Sequence, residues 1–324
     1  MRVLLRVATL GVLFVSVVTP WSAATAQDYP NRPVRIVVPF GAGGPADVFG
    51  RTIAQHLSDS LKQPFVVENR PGAGAITGTD AVAKAEPDGY TLLVMSNTQT
   101  VNESLIPNKP YDLMRDFAPI SPINYSDLLM VVHPSTGVKN LQEFIAMAKK
   151  NPGKLNYASS GPGTPYHMAG ELFKAMTGTN IVHIPHKSSG DMRSSVMGGH
   201  VQMMFDAITV MQGMDSGQLI VLGSTGKQRS SVAPNVPTVA EAGVPGYEAT
   251  IWLGFMAPAK TPKPIIDRLN AEITKVINRA DVKEAWAKQG AVPMPMTPAE
   301  FDKYLRADIE KWAQVVKVSG AKLE

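Results

Sequence analysis

Apolar residues follow two different spacings along the chain, and the alternation between them predicts its secondary structure. Short β-branched runs such as Val34–Pro39 and Tyr90–Met95 have the continuous apolar character of buried strands. Asp47–Leu61 instead repeats apolar residues at helical spacing, with polar residues between them. Strand and helix patterns then follow one another, which is typical of an α/β fold.

The same two patterns predict the remaining elements. Strands are expected at Phe65–Glu68, Leu128–His133, Leu155–Ser159, Ile181–Pro185, Val201–Asp206, Leu219–Ser224 and Ile251–Met256. Helices are expected at Thr79–Lys84, Leu141–Lys150, Tyr166–Met176, Pro264–Arg279, Asp281–Gln289 and Pro298–Ser319.

The first 26 residues have the three parts of a secretory signal peptide. Met1–Arg6 carries two positive charges, Val7–Val18 is apolar, and Ala24-Thr25-Ala26 supplies small residues before the cleavage point. A membrane anchor is the alternative, but twelve apolar residues form only about 18 Å of helix, whereas a bilayer core is roughly 30 Å thick. We therefore expect cleavage after Ala26 and a periplasmic mature protein.

Composition and charge exclude several classes of function. The chain has no cysteine, which excludes a lipoprotein anchor, thiol nucleophiles and cysteine metal sites. The net charge of +4 falls to +2 when Arg2 and Arg6 are removed, and no block of like charges indicates nucleic-acid binding. The six histidines show no metal-ligand spacing, so neither a metal nor a cofactor is expected. The mature protein is expected to be a monomer.

Two segments combine a strand, a glycine-rich loop and the start of a helix. In one, Val34–Pro39 leads through Phe40–Gly44 into a helix, and in the other, Leu155–Ser159 leads through Ser160–Thr164 into a second helix. Such a turn directs backbone N–H groups and the positive end of a helix dipole at one point, which suits an anion. One loop of this kind can be merely a tight connection. Two loops about 120 residues apart predict a site for a ligand with an anionic group at each end.

Enzymatic motifs are weak or absent. Ser159 or Ser160 with His167 and Asp206 supplies the residue types of a hydrolytic triad, but the spacing is not that of a nucleophile elbow. The first loop lacks the dinucleotide and Walker patterns. Asp206 ends an apolar strand, where α/β proteins bind ligands. It can cap the next segment, meet a cationic group of the ligand, or hold ligand-binding side chains.

Several ordered motifs resemble the substrate-binding proteins of tripartite tricarboxylate transporters, the Bug-type receptors. They span almost the whole mature chain and lie at Tyr29–Pro33, Val38–Gly44 with Asp47, Glu68–Gly74, Pro87–Leu92 and Val236–Tyr247. The chain departs from the family pattern at His186-Lys187-Ser188, where many members have Tyr-Lys-Gly. That departure affects the predicted wall of the binding site.

The resemblance implies a two-lobed type II periplasmic-binding-protein fold with the ligand cleft between the α/β lobes. Lobe 1 would comprise residues 27–126 and 252–324, and lobe 2 residues 127–251. The ligand-binding residues implied are Phe40, Gly41, Ala42, Gly43, Gly44, Asp47, Ser96, Asn97, Ser159, Ser160, Gly161, Gly163, Thr164, His167, His186, Lys187 and Asp206.

The resemblance also implies the biological role. The ligand would be a small organic acid, such as a dicarboxylate, and the partner would be the membrane permease subunits of a tripartite transporter. Amino acids and nicotinate-like compounds also lie within the range of the family. A receptor that presents the solute to a membrane sensor kinase remains the alternative.

Overall fold

The computed structural model describes residues 29–207 and 217–321, so the predicted signal peptide, residues 1–26, lies outside the described residues. The strands are β1 (Val34–Val38), β2 (Phe65–Asn69), β3 (Thr91–Ser96), β4 (Phe117–Val132), β5 (Asn156–Ser159), β6 (Val182–Pro185), β7 (Met203–Ala207), β8 (Ile220–Ser224), β9 (Thr250–Pro258) and β10 (Ala291–Pro293). The helices are α1 (Pro45–Leu61), α2 (Ile76–Ala83), α3 (Asn97–Leu105), α4 (Leu113–Asp116), α5 (Leu141–Lys150), α6 (Pro165–Thr177), α7 (Ser189–Met197), α8 (Lys263–Ile277), α9 (Ala280–Ala287) and α10 (Pro298–Ser319).

All ten strands are connected through one long strand, β4. The strand order is β2-β1-β3-β9-β4-β7-β5-β6, and β8 and β10 also pair with β4. The pairs β1–β2, β1–β3, β5–β6 and β5–β7 are parallel, whereas β4 and β9 run antiparallel to their neighbours. Two parallel groups of strands are therefore joined by an antiparallel centre, which agrees with the predicted α/β class.

β4 passes from one lobe to the other. Its residues Phe117–Asp127 pair with β9, and its residues Leu128–Val132 pair with β7. We call lobe 1 the part built on β1, β2, β3, β9 and β10, and lobe 2 the part built on β5 to β8. Near the crossing, the Leu128 N–H donates to Thr225 Oγ1 (2.8 Å) and the Ala249 N–H donates to the Thr225 carbonyl (3.0 Å).

Each lobe has a hydrophobic core of its own. In lobe 2, Leu128–Val132 packs with Phe144, Phe173 and Phe205. In lobe 1, Ile36 and Ile53 lie in one cluster with Trp286. Because burial of large apolar side chains supplies most of the favourable free energy of folding, each sheet is stabilised by the helices that cover it.

The first half of β4 is a strand that the sequence did not predict. Pro119 and Pro122 interrupt it, and a proline removes a hydrogen-bond donor from the sheet. The register against β9 shifts between Pro119 and Ser121 and between Pro122 and Asn124, so each proline sits at an irregularity. The sheet thus accommodates the prolines that obscured the strand pattern.

Two helices that border the cleft were also not predicted. In α3, the seven buried residues include Asn97, Thr98, Gln99, Thr100 and Asn102, so no apolar stripe marks the helix. In α7, only Met192 and Val196 are buried. Both helices are instead indicated by their caps, because Ser96 and Ser188 each accept a hydrogen bond from a backbone N–H of the first turn.

The C-terminal helix α10 contacts both lobes. Trp312 of α10 packs in one cluster with Val101 and Leu105 of α3 and with Met168 of α6 in lobe 2. Thr100 Oγ1 donates to the buried Asp308 carboxylate of α10 over 2.6 Å. Among residues 29–207 and 217–321, no helix has the length and apolar character required to span a bilayer.

Candidate functional site

A cavity of about 580 Å³ lies between the two lobes. Lobe 1 contributes the loop before α1, the loop before α2, Ser96 and Leu253, and Ile251 lines the cavity from the start of β9. Lobe 2 contributes the loop before α6, the segment His186–Gly190 and Arg193. This volume is in the range of small-molecule sites in proteins.

The first turn of α1 opens onto the cavity. Gly44 caps the helix in an extended conformation, Pro45 is its first residue, and both line the cavity. The first N–H groups of a helix have no partner within the helix and attract anions. Gly43, just before the cap, has φ +79°, a left-handed conformation that glycine adopts without steric cost.

Asp47 braces this loop from behind the cavity wall. Its carboxylate accepts hydrogen bonds from the Gly43 N–H (2.9 Å), from Arg51 Nε (2.9 Å) and from Asn69 Nδ2 (2.9 Å). Burial raises the pKa of Asp47, but these three hydrogen bonds outweigh burial and hold that pKa below its usual value. Asp47 therefore stays ionised and positions the loop rather than lining the cavity.

The loop before α6 also satisfies part of its backbone internally. The Gly163 N–H donates to His167 Nδ1 (3.1 Å), and the Gly161 N–H donates to Ser159 Oγ (3.1 Å). Thr164 caps α6, and Pro165 is its first residue. Two N–H groups that the sequence assigned to the ligand are thus already bound. In the first turn of α6, Pro165 has no N–H and the His167 N–H donates to Thr164 Oγ1 (3.5 Å), which leaves the Tyr166 N–H of that turn.

A buried aromatic cluster supports this second loop. The rings of His167 and His183 stack with centroids 4.0 Å apart, and Ser159 Oγ lies 2.6 Å from His183 Nε2. The Tyr157 hydroxyl donates to Glu171 Oε1 at 2.5 Å. Ser159 is fully buried and lies outside the cavity wall, so the Ser159–His183 pair has no access to a ligand.

Both histidines of this cluster are held in the neutral state. Burial lowers the pKa of His167 to about 4, with a smaller contribution from Lys174. Burial also lowers the pKa of His183 to about 3, assisted by the neighbouring His167. In an unfolded chain each imidazole would titrate near pH 6.5.

Acid should therefore destabilise the protein through these two groups. The unfolded chain binds more protons than the folded protein below pH 6.5, so the stabilisation is complete above that pH and is lost as the pH falls towards 4 and then 3. Each histidine contributes a slope of up to about 1.4 kcal/mol per pH unit in that window. Urea unfolding at pH values between 4 and 7 measures the slope.

His167→Asn tests whether His167 contributes to the loss of stability in acid. The amide oxygen of asparagine can still accept the Gly163 N–H, but the amide does not titrate. The slope of the variant should be shallower than that of the unmutated protein by about one proton. His200→Asn, on the exposed surface, controls for removal of one imidazole. An unchanged slope in His167→Asn would exclude His167 as a source of the acid sensitivity.

Arg193 is a cavity residue that sequence reasoning missed. It lies on α7, lines the cavity, and forms a two-pronged ion pair with Asp206 at the end of β7, in which Nη2 donates to Oδ1 over 3.0 Å and Nε donates to Oδ2. Asp206 is fully buried, and it also accepts the Ala207 N–H (2.7 Å). Burial raises the pKa of Asp206, while Arg193 and Ala207 oppose the rise. Of the roles left open for Asp206, the structure places it in contact with a cavity-lining side chain.

The cavity brings together eleven of the predicted site residues and leaves six behind its wall. Those that line it are Phe40, Gly41, Ala42, Gly43, Gly44, Ser96, Ser160, Gly161, Thr164, His186 and Lys187. Those behind it are Asp47, Asn97, Ser159, Gly163, His167 and Asp206. The six share a physical cause, because each is buried and directs at least one polar group to a neighbouring part of the protein. Asn97, for example, donates to the Thr250 carbonyl (3.1 Å) instead of turning to the cavity.

The charge on the cavity wall has one sign. Arg193 and Lys187 contribute positive groups, and no Asp or Glu of the described residues lines the cavity. Much of the remaining surface is apolar, from Pro39, Phe40, Pro162, Ile251 and Leu253. Within residues 29–207 and 217–321, no group of three or more His, Asp or Glu side chains is arranged to hold a metal ion.

The lobes approach each other on both sides of the cavity. On one side, a Cβ atom built on Gly44 would lie 3.9 Å from Ser189 Oγ of α7. On the other, a Cβ atom built on Gly163 would lie 2.8 Å from Asn102 Oδ1 of α3. Each of the two glycine-rich loops therefore lies close to a helix of the opposite lobe.

The matching family agrees with this geometry. The family described as "Tripartite tricarboxylate transporter family receptor" matches residues 49–321. The chain belongs to this family. Its members are periplasmic solute-binding receptors rather than enzymes. A two-lobed fold with a cleft between the lobes is what such a receptor requires.

Similar proteins are found both by sequence and by structure. The receptor is 39% identical to "Protein BugT" of Bordetella pertussis over 97% of this chain and 98% of that protein. The structure of Rpa4515 of R. palustris with adipate superposes with a TM-score of 0.87 at 33% identity, covering 91% of this chain and all of that one. MatC of Rhodopseudomonas palustris with bound malate gives a TM-score of 0.83 at 31% identity, covering 89% and all, respectively.

Proposed function

We propose that this receptor binds a small organic acid with two carboxylates in the cavity between its lobes. The main support is that helices α1 and α6 begin on opposite lobes and that both open onto one cavity. Among the described residues, the wall of this cavity includes Arg193 and Lys187 but no acidic side chain. A carboxylate at each end of the ligand would meet one helix N-terminus. The apolar wall between them would contact the hydrocarbon part of the ligand.

The same wall disfavours an amino acid. An ammonium group in a closed, poorly hydrated cavity needs a carboxylate or several acceptors nearby. Asp206, the acid that the family pattern offers, is engaged by Arg193. The cavity is therefore better suited to a ligand that carries only negative charge. The adipate and malate named for the two structural relatives are ligands of this kind.

We propose two kinds of site residue. The eleven predicted residues that line the cavity, together with Arg193, would contact the ligand, and the six behind the wall would position them. The lobe boundaries are proposed to fall at residues 126/127 and 251/252. The change of pairing partner within β4 at Asp127 and Leu128 supports the first of these boundaries.

A ligand panel tests the proposed function. Thermal unfolding would be followed with succinate, adipate, suberate, terephthalate, glutamate and aspartate, because a ligand that binds only the folded state raises the apparent stability. At least one dicarboxylate should raise the midpoint temperature in a concentration-dependent way, whereas the two amino acids should not. Stabilisation by an amino acid with none by any dicarboxylate would refute the proposal.

The proposed partner is the pair of membrane permease subunits of a tripartite transporter. We also propose that the signal peptide is cleaved after Ala26 and that the exported protein is a monomer. Cells that lack the receptor should lose uptake of the acid identified in the ligand panel. N-terminal sequencing of the protein recovered from the periplasm should begin at Gln27, and gel filtration should show a monomer. Uptake that persists without the receptor would contradict delivery to a permease. A first residue upstream of Ser22 would contradict the cleavage site.

A further inference from the structure

One ring nitrogen of His186 is accessible and has no partner among the described residues. His186 lies between β6 and α7 and lines the cavity. Its backbone N–H donates to the Ser159 carbonyl (2.9 Å), and its Nδ1 lies 3.0 Å from the Ile184 carbonyl oxygen. Nε2 makes no hydrogen bond to residues 29–207 and 217–321, and it remains accessible to solvent.

The contact with Ile184 fixes the tautomer of this ring. A carbonyl oxygen accepts hydrogen bonds and donates none, so Nδ1 carries the hydrogen of the neutral imidazole. Nε2 then has a lone pair and no hydrogen, which makes it an acceptor.

An atom that only accepts is an exception among the side chains of this cavity. Every other polar side chain of the described wall belongs to serine, threonine, tyrosine, lysine or arginine, all of which can donate a hydrogen bond. A carboxylate also only accepts, so a carboxylate opposite neutral Nε2 would have no hydrogen to share with it. A ligand that fits this wall therefore places a donor group, rather than a carboxylate, opposite His186.

The position of His186 relates this donor group to one end of the ligand. Because its N–H binds the Ser159 carbonyl, His186 is held beside the loop that leads into α6. A Cβ atom built on Gly161 of that loop would lie 3.7 Å from the His186 carbonyl oxygen. One carboxylate is proposed to bind at the start of α6, so a donor opposite Nε2 would lie close to that carboxylate.

We propose that His186 determines specificity, because its Nε2 accepts a hydrogen bond from a hydroxyl group next to one carboxylate. The receptor would then prefer 2-hydroxy dicarboxylates to the unsubstituted acids. This preference rests on the proposed function, since it requires that the cavity binds a dicarboxylate. An ammonium group at the same carbon would also donate, but the described wall contains Lys187 and no acidic side chain, which opposes a further positive charge.

Matched pairs of acids test the preference. Calorimetry at about pH 8, where an imidazole is mostly neutral, would compare succinate with malate, glutarate with 2-hydroxyglutarate and adipate with 2-hydroxyadipate. In at least one pair, one enantiomer of the hydroxy acid should bind roughly 3- to 10-fold more tightly than the unsubstituted acid, the range for a hydrogen bond between neutral groups. The amino acid of the same length should bind more weakly than that hydroxy acid.

His186→Phe removes Nε2 and retains an aromatic ring. In this variant the affinities for the two acids of the pair should agree within about twofold. The ratio of the two affinities is the informative quantity, because a variant that merely disturbs the cavity would weaken the binding of both acids. His186→Leu also removes the ring nitrogens, carries the same expectation, and serves if His186→Phe does not fold. His200→Phe, which replaces an exposed histidine outside the cavity wall, should retain the full preference.

The outcomes separate the preference from the function. If any dicarboxylate binds the unmutated protein and no hydroxy acid binds more tightly than its unsubstituted counterpart, the preference is overturned and the proposed function stands. A preference that persists in His186→Phe would show that the hydroxyl is recognised elsewhere and would overturn the role of His186. Tighter binding of the amino acid than of the hydroxy acid would overturn the choice of a hydroxyl group. If no dicarboxylate of either panel binds, the proposed function fails and the preference fails with it.

Discussion

Gly43→Val is expected to abolish ligand binding while the protein remains folded. Gly43 has φ +79°, a conformation that a β-branched residue resists, and it lies in the cavity wall at the entry to α1. Apart from its two chain neighbours, no atom of residues 29–207 and 217–321 lies within 4 Å of a Cβ atom built there, so the valine would clash with none of these residues and would project from the loop that is proposed to face the ligand. We expect a loss of at least about 100-fold in affinity, which corresponds to about 2.7 kcal/mol.

Gly246→Val is the matched control for the backbone conformation. Gly246 has φ +82° and is exposed, and apart from its chain neighbours no described residue comes within 4 Å of a Cβ atom built on it. Both variants should lose a similar free energy of unfolding, about 1–3 kcal/mol for a non-glycine residue in this region. Only Gly43→Val should lose binding, as measured by calorimetry with the best dicarboxylate. Retained affinity in Gly43→Val would remove this loop from the site.

Gly163 would not serve as an equivalent test. The sequence treats the two loops alike and predicts that valine in either would abolish binding without affecting the fold. In the structure, however, a Cβ atom on Gly163 would lie 2.8 Å from Asn102 Oδ1 and 3.2 Å from a methyl carbon of Leu105. Valine there would push the lobes apart, so stability and closure would change together.

Arg193→Met is expected to lower both the stability of the protein and its affinity for the ligand. The loss of stability would come from the buried carboxylate of Asp206. Asp206 would remain fully buried without the guanidinium that now pairs with it. Removing one partner of a buried ion pair destabilises a protein by about 3–5 kcal/mol, because the remaining charge is left unpaired. Urea unfolding at pH 7 measures this loss, and calorimetry should show a decrease in affinity of at least about 30-fold.

The pH dependence of the variant identifies the cause. Without Arg193, burial raises the pKa of Asp206 with less opposition, so the folded variant binds a proton more readily than the unfolded chain does. Its stability deficit should therefore grow as the pH rises above about 4 and shrink as the pH falls towards 4. A deficit that is independent of pH would show that lost packing, rather than an unpaired carboxylate, is responsible.

A double variant separates stability from binding. Replacing both partners, in Arg193→Met/Asp206→Leu, removes the unpaired charge, and such apolar replacements are often neutral or stabilising. Stability should recover, but binding should not, because the cation that is proposed to contact the ligand is still absent. Arg229→Met, which breaks an ion pair between half-exposed partners, should change neither property appreciably. Recovery of binding in the double variant would remove Arg193 from the site.

Local patterns in the sequence determined most of the fold. β-branched runs became strands because they fit a buried pleated surface, as in β1 and β3. The prolines at positions 45 and 165 begin α1 and α6, because the missing N–H is not required in the first turn. The glycine-rich loops then followed from the same local signals, so both ends of the cavity could be predicted.

Elements with conflicting local signals needed tertiary contacts. The prolines of β4 disfavour a strand. Pairing with β9 nevertheless keeps this part of β4 in the sheet, and the register shifts accommodate the prolines. The polar residues of α3 show no amphipathic stripe, because several of them are buried and hydrogen-bonded to polar groups of neighbouring elements. Gln99 Nε2, for instance, donates to Thr79 Oγ1 over 3.1 Å.

The sequence by itself thus determined most of the α/β elements, the two helix starts that open onto the cavity and the family resemblance, all of which depend on residues adjacent along the chain. Only the tertiary structure decided which side chains face the cavity. Arg193 and Asp206 are thirteen residues apart on α7 and β7, and Tyr166 joins them from α6. The spacing of residues along the sequence does not predict that these three side chains lie together, because hydrogen bonds and ion pairs between separate elements depend on how those elements pack. Asp206 lies against Arg193 and behind the cavity wall, which fits one of the roles that the sequence left open for it, that of holding another side chain.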